Sequence, residues 1–173
     1  MKQYGGKVRV VYKHYVVHPD TVMPAHMAAC AADRQGKFLA FEKAFWEKGF
    51  GAYAQTRDPS HLGEANLMKI AKGVGLDTGK LAADMKGTEC QARIQADMGE
   101  LSKFGVNATP SFFVNGKFLM FEGPGEFKAA IDAALTEVMS SGVAPDQYYQ
   151  QVVIGQGLKE FRSKKDAAGG KAK

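Results

Sequence analysis

An α/β layered fold with a large helical insertion is what this sequence predicts, on three observations. A Val- and Tyr-rich stretch near the start reads as a strand, a run of amphipathic segments follows, and a hairpin and closing helices complete the chain. Lys7–Tyr15, KVRVVYKHY, alternates imperfectly and is β-branched, which suits a pleated surface. Gly5-Gly6 ahead of it has the character of a helix end, because glycine commonly sits just past a helix C-terminus. Strand, helices, hairpin, helix is an order that layers helices on a sheet.

The helical middle comes next. After His18-Pro19 a loop leads to helices over Met23–Arg34 and Lys37–Lys48. Phe38, Phe41, Phe45 and Trp46 form an i, i+3, i+7, i+8 stripe that predicts a core face. Residues 49–61, with their Gly, Tyr and Pro, predict a loop. Leu62–Val74 and Thr78–Met85 predict short helices, with Gly75 closing the first and Asp77 capping the second. Glu89–Phe104 is a longer helix ended by Gly105.

Thr109-Pro110 then precedes two apolar runs, Ser111–Val114 and Lys117–Phe121, joined by Asn115-Gly116. That dipeptide between apolar runs is the strongest short hairpin signal. Proline cannot donate to a sheet, so Pro110 belongs at a strand mouth or turn. Gly123-Pro124-Gly125 interrupts the chain before an amphipathic helix over Glu126–Met139. A last helix is predicted over Pro145–Phe161, with Pro145 in its first turn.

Composition narrows the classes. The 173 residues carry a formal net charge of +5. Residues 158–173 hold six Lys/Arg against two acidic residues, so the body is only mildly basic. A charged end without interleaved aromatics reads as a solvated, disordered tail (163–173), not a nucleic-acid arm. No run approaches the roughly 18 apolar residues of a membrane span. Met1–Tyr12 has no signal-peptide h-region, so the chain taken literally is soluble and not exported. No P-loop, Ser-His-Asp spacing or dinucleotide fingerprint is present, and no cofactor is expected. His14, His18 and His26 lie near Cys30, with His26 and Cys30 at i, i+4. No further cysteine or carboxylate completes a ligand spacing, so no metal site is expected.

Four segments taken together resemble successive landmarks of one family. They are GKVRVVYKHYVVHP, PAHMAACAADRQGKFLAFEKAFW, IAKGVGLDTGKL and GVNATPSFFVNGKFL. In order, over about residues 4–140, they are similar to the DsbA-like branch of the thioredoxin superfamily, whose members are thiol-disulfide oxidoreductases. The resemblance implies a thioredoxin-like domain over 1–142 with a helical insertion over about 20–104, followed by a C-terminal helix over 143–162. It also implies that Thr109-Pro110 is a cis-proline turn offering backbone hydrogen bonds to an extended protein or peptide substrate. Asn107 and Ala108 would shape that substrate-binding loop.

One departure from the family is large. Its members carry a strand and a Cys-x-x-Cys helix upstream of the segment that begins here at Tyr4. This chain has no Cys-x-x-Cys, so the resemblance implies an N-terminally truncated copy with no catalytic residue of its own. Cys30 and Cys90 are open to three readings: inert core thiols, a structural disulfide, or reactive groups. Some family members hold a structural disulfide within the helical insertion, which resembles this placement; if formed here, it would imply an oxidising compartment. The intact protein would then form or isomerise disulfides in exported proteins, in the periplasm or another extracytoplasmic space.

The absent strand would lie between Lys7–Tyr15 and Ser111–Val114. Losing four or five large buried side chains costs on the order of 10 kcal/mol, comparable with the stability of a whole domain. A homodimer or strand-swapped oligomer is therefore expected. Two other functions fit the same residues: a non-redox module that binds extended peptides, and a kappa-type glutathione transferase or isomerase.

Overall fold

The computed structural model describes residues 2–120, 123–162 and 164–167. The chain divides into two compact units, residues 1–99 and 100–173.

The first unit is helical. A 3-10 turn, Lys2–Tyr4, leads into residues 7–16, which form neither helix nor strand. Helix α1 spans Pro19–Arg34. It starts four residues before the predicted Met23, because Pro19 at the first helical position needs no hydrogen-bond partner and Asp20 meets the positive helix end. Its inner face is built of Ala25, Ala28, Ala31 and Ala32. These small side chains let α5 (Thr78–Lys86) pack closely.

Helix α2 (Phe38–Phe45) continues without a break through a π-helical turn, Trp46–Phe50, into α3 (Gly51–Thr56). The predicted loop over 49–61 is thus mostly helical. Gly49 does not end the helix: it is buried, and a Cβ there would come within 2.7 Å of the Phe45 ring. The helix stops at Arg57, which is left-handed at φ 60°. Asp58 then caps a 3-10 turn, Pro59–Leu62, by accepting from the Ser60 amide at 2.9 Å.

Helix α4 spans Glu64–Gly73. Asp77 caps α5 by accepting from the Lys80 amide at 2.9 Å. Gln35 clasps the same residue from α1: its side-chain N–H donates to the Asp77 carbonyl and its oxygen accepts from the Asp77 amide. Helix α6 spans Thr88–Lys103 and buries Cys90, Ile94 and Asp97 along one stripe.

The core of this unit gathers the α1 alanines with Phe41, Leu67, Ile70, Ala71, Leu76, Leu81, Cys30 and Cys90. The aromatic stripe of α2 is split. Phe41 is buried, Phe38 and Phe45 are half-buried, and Trp46 is 53% exposed. Trp46 stands five positions past the buried Phe41, about 140° around a helix of 3.6 residues per turn, so its ring faces away from the core.

The second unit holds the sheet. Strands β1 (Phe112–Val114) and β2 (Lys117–Leu119) pair antiparallel, with Phe112 opposite Leu119, Phe113 opposite Phe118 and Val114 opposite Lys117. Asn115 and Gly116 both adopt positive φ, 46° and 80°, as a tight hairpin turn requires. Alternation along β1 sends neighbouring rings to opposite faces. Phe112 meets Phe127 of α7 (Pro124–Ser140) at 4.6 Å between centroids. Phe113 meets Phe104, Phe118 and Phe161 at 5.2–6.3 Å. The Phe161 amide donates to the Lys103 carbonyl at 2.8 Å, which fixes that ring.

Three expectations change here. Lys7–Tyr15 is not a strand: among the described residues nothing pairs with it, and the His14 amide donates to the Asp97 carboxylate instead. The last helix is shorter than Pro145–Phe161. Helix α8 (Pro145–Tyr148) runs into a π-helical stretch, Tyr149–Ile154, and the chain leaves the helix at Gly155–Gly157. Within the expected tail, Lys164–Ala167 form one helical turn, α9. Residues 163 and 168–173, like Phe121 at the predicted end of the second strand, lie outside the described residues.

Candidate functional site

The turn ahead of β1 is the first candidate. Helix α6 ends at Gly105, whose φ of 69° needs no Cβ penalty, and Val106 is buried beside it. Asn107, Ala108, Thr109 and Pro110 then run exposed, and the Thr109–Pro110 peptide is cis. One polar anchor holds the loop: the Ser111 hydroxyl donates to the Ala108 carbonyl at 2.7 Å. The other main-chain groups of Asn107–Pro110 make no hydrogen bond among the described residues. Exposed donors and acceptors next to a strand mouth can pair with an extended polypeptide.

The two cysteines are joined. Cys30 of α1 and Cys90 of α6 form a disulfide with 5.7 Å between Cα atoms across a separation of 60 residues. Both are buried, at 2% and 0% exposure. No free cysteine remains, so the chain has neither a thiolate nucleophile nor a resolving thiol. Arg34 pairs with Asp84 of α5 and with Glu89 of α6, and Arg93 of α6 donates to Asp33. These surface pairs brace the helices that the disulfide joins.

A histidine cluster is the third feature. The Nδ1 atoms of His14 and His26 are 3.1 Å apart, close enough to share a single proton. At that spacing one ring donates and the other accepts. The His14 amide donates to Asp97 at 2.9 Å, and Lys13 bonds the other oxygen of the same carboxylate at 3.2 Å. Burial, with His14 alongside, pushes His26 down to about 4. Burial also lowers His14, with Arg93 adding to it and the Asp97 and Asp33 charges opposing.

Of the residues singled out in sequence, His14 and His26 come together. His18 does not join them; it is exposed at the start of α1, where its carbonyl accepts from Thr21 and Val22. Cys30 is committed to sulfur. Among the described residues no group of three or more His, Cys, Asp or Glu is placed to hold a metal ion. Asp97 is the residue that sequence reasoning missed. It lies 83 positions from His14, and nothing local marks it.

Comparison with known proteins identifies the class. A family model described as Thioredoxin matches residues 1–133, and the chain belongs to that family. Among curated proteins, a Na(+)/H(+) antiporter NhaA 3 from Salinispora tropica is 30% identical over 142 residues. That match covers 80% of this chain and 20% of the antiporter. A Na(+)/H(+) antiporter NhaA from Herminiimonas arsenicoxydans is 27% identical over 139 residues, again 80% of this chain and 20% of its own length. The chain thus spans about a fifth of the length of these relatives. No solved structure matches.

Proposed function

We propose that this chain is a DsbA-like member of the thioredoxin family that docks extended polypeptide at Asn107–Pro110 and performs no dithiol chemistry by itself. Two observations carry the reading: both cysteines are buried in one disulfide, and the Asn107–Pro110 turn is exposed with open main-chain groups. Exchange requires an accessible thiolate and a partner thiol, and neither exists here. Disulfide formation or isomerisation in exported proteins by an intact protein would draw on a Cys-x-x-Cys that these 173 residues do not contain. A buried structural disulfide fits an oxidising compartment, periplasmic or otherwise outside the cytoplasm.

Sodium–proton exchange, named for the relatives, is not carried over. The match covers a fifth of those proteins, and among the described residues no helix is long and apolar enough to cross a membrane. The relatives support a supplementary role for a thioredoxin-family segment within a larger protein.

Two measurements test the proposal. In an insulin-reduction or hirudin-refolding assay the chain shows no turnover above buffer; clear turnover contradicts it. An unfolded, cysteine-free polypeptide binds the chain, and Pro110→Ala weakens that binding while the far-ultraviolet spectrum is kept. Undiminished binding by the variant removes the docking turn from the reading.

A further inference from the structure

Two aromatic rings bracket the Asn107–Pro110 turn. Phe104 follows the end of α6, three residues before Asn107, and Phe113 stands on β1, three residues after Pro110. Their centroids meet edge to face at 6.3 Å, so the two arms of the turn share one aromatic site. A third ring occupies that site from far along the chain. Phe161 lies 5.1 Å from Phe104 and 6.2 Å from Phe113. Its amide donates to the Lys103 carbonyl at 2.8 Å.

The segment that brings Phe161 there is lightly attached. Residues 158–162 form neither helix nor strand, and Lys159, Glu160 and Arg162 are exposed. Their other hydrogen bonds run to Ile154, Glu160 and Asp166, close by in the same stretch of chain. The hold on the site is thus one half-buried ring and one main-chain N–H. Few buried contacts mark a segment that opens at low cost. Any extended polypeptide with an aromatic residue offers the same two groups. In peptide recognition of this kind main-chain bonds supply affinity, and side-chain pockets supply specificity.

We propose that Phe104 and Phe113 form the specificity pocket of the docking turn, that Phe161 fills it in cis, and that an extended polypeptide displaces Phe161 with an aromatic side chain of its own. The incoming ring takes the place of Phe161, and an incoming N–H takes the Lys103 carbonyl. This deepens the docking reading and rests on it.

Two cysteine-free peptides of about eight residues, identical except for a central Phe or Ala, are titrated against the full chain and against Phe161→Ala. The Phe peptide binds the full chain about tenfold more tightly than the Ala peptide, because edge-to-face contacts add to the area its ring buries. Phe161→Ala empties the pocket and raises affinity for the Phe peptide at least about threefold, with little change for the Ala peptide. In the unaltered chain, NMR shows the Phe161 ring losing its Overhauser contacts with Phe104 and Phe113 as the Phe peptide saturates it. Contacts that persist in the saturated complex overturn the proposal, whether or not Phe161→Ala folds. An affinity for the Phe peptide that folded Phe161→Ala leaves unchanged or lowers overturns it too. Equal affinity of the full chain for both peptides, weakened by Pro110→Ala, overturns the pocket and leaves the docking turn standing. Binding of neither peptide to either chain overturns both.

Discussion

The two units of this chain are stabilised in different ways. The helical unit has a core of fully enclosed side chains: Phe41, Leu62, Leu67, Leu81 and Ile94 are all under 2% exposed, and a disulfide crosses it. In the hairpin unit the strand residues are half-buried except the exposed Lys117, and α7 has no buried residue among those described. Its cohesion comes from edge-to-face rings, Phe104, Phe112, Phe113, Phe118, Phe127 and Phe161. Closed packing makes every methylene count, whereas half-exposed rings lose less when removed. The more closely packed unit is therefore the one without the Thr109-Pro110 turn. The part that carries Thr109-Pro110 is held more lightly.

Removing the disulfide is the severest test of that contrast. Cys30→Ala with Cys90→Ala frees a long loop in the unfolded state and lowers stability by about 4 kcal/mol on the chain-entropy estimate. Urea unfolding with and without reductant measures it, and an equal loss in both units would show that they unfold together. Leu67→Ala opens a cavity in the closed core and costs about 3 kcal/mol. Phe113→Ala in the hairpin unit should cost clearly less, about 1–2 kcal/mol, because its ring is already half in water. Comparable midpoints for these two variants would erase the distinction.

Acid should act on the helical unit through His26. His26 titrates at about 4 in the folded chain and near 6.5 when unfolded, so the unfolded state takes up the proton first. Between those values stability falls as pH falls, by on the order of 2 kcal/mol after allowance for partial exposure. His26→Gln flattens that slope, and melting curves from pH 7 to 4 read it. The smallest effect belongs to the surface of the hairpin unit. Lys117 and Glu137 pair at 2.5 Å but are each about half exposed, so Lys117→Ala shifts stability by less than about 1 kcal/mol.

Local chemistry made much of this legible. Asn115-Gly116 marks the hairpin because only a few residues tolerate two successive positive φ values, and Asp77 marks a cap because its carboxylate reaches an amide three residues on. The turn ahead of β1 was legible in the same way, through a proline at a strand mouth. Lys7–Tyr15 failed as a strand for the opposite reason. Its side chains suit a sheet, but a strand exists only where a second chain segment answers its hydrogen bonds. Gly49 misled as a loop signal because its missing side chain serves packing against Phe45 and leaves the helix unbroken.

Periodicity, turn residues and the lack of a Cys-x-x-Cys were properties of the sequence alone, since each depends on neighbours within a few positions. Tertiary structure decided that Cys30 meets Cys90, that His14 meets His26 through its ring and Asp97 through its amide, and that Trp46 leaves its stripe. The first two join residues 12 to 83 positions apart, and the third depends on which side of the helix meets the core. Nothing short of the assembled packing brings such groups within bonding distance.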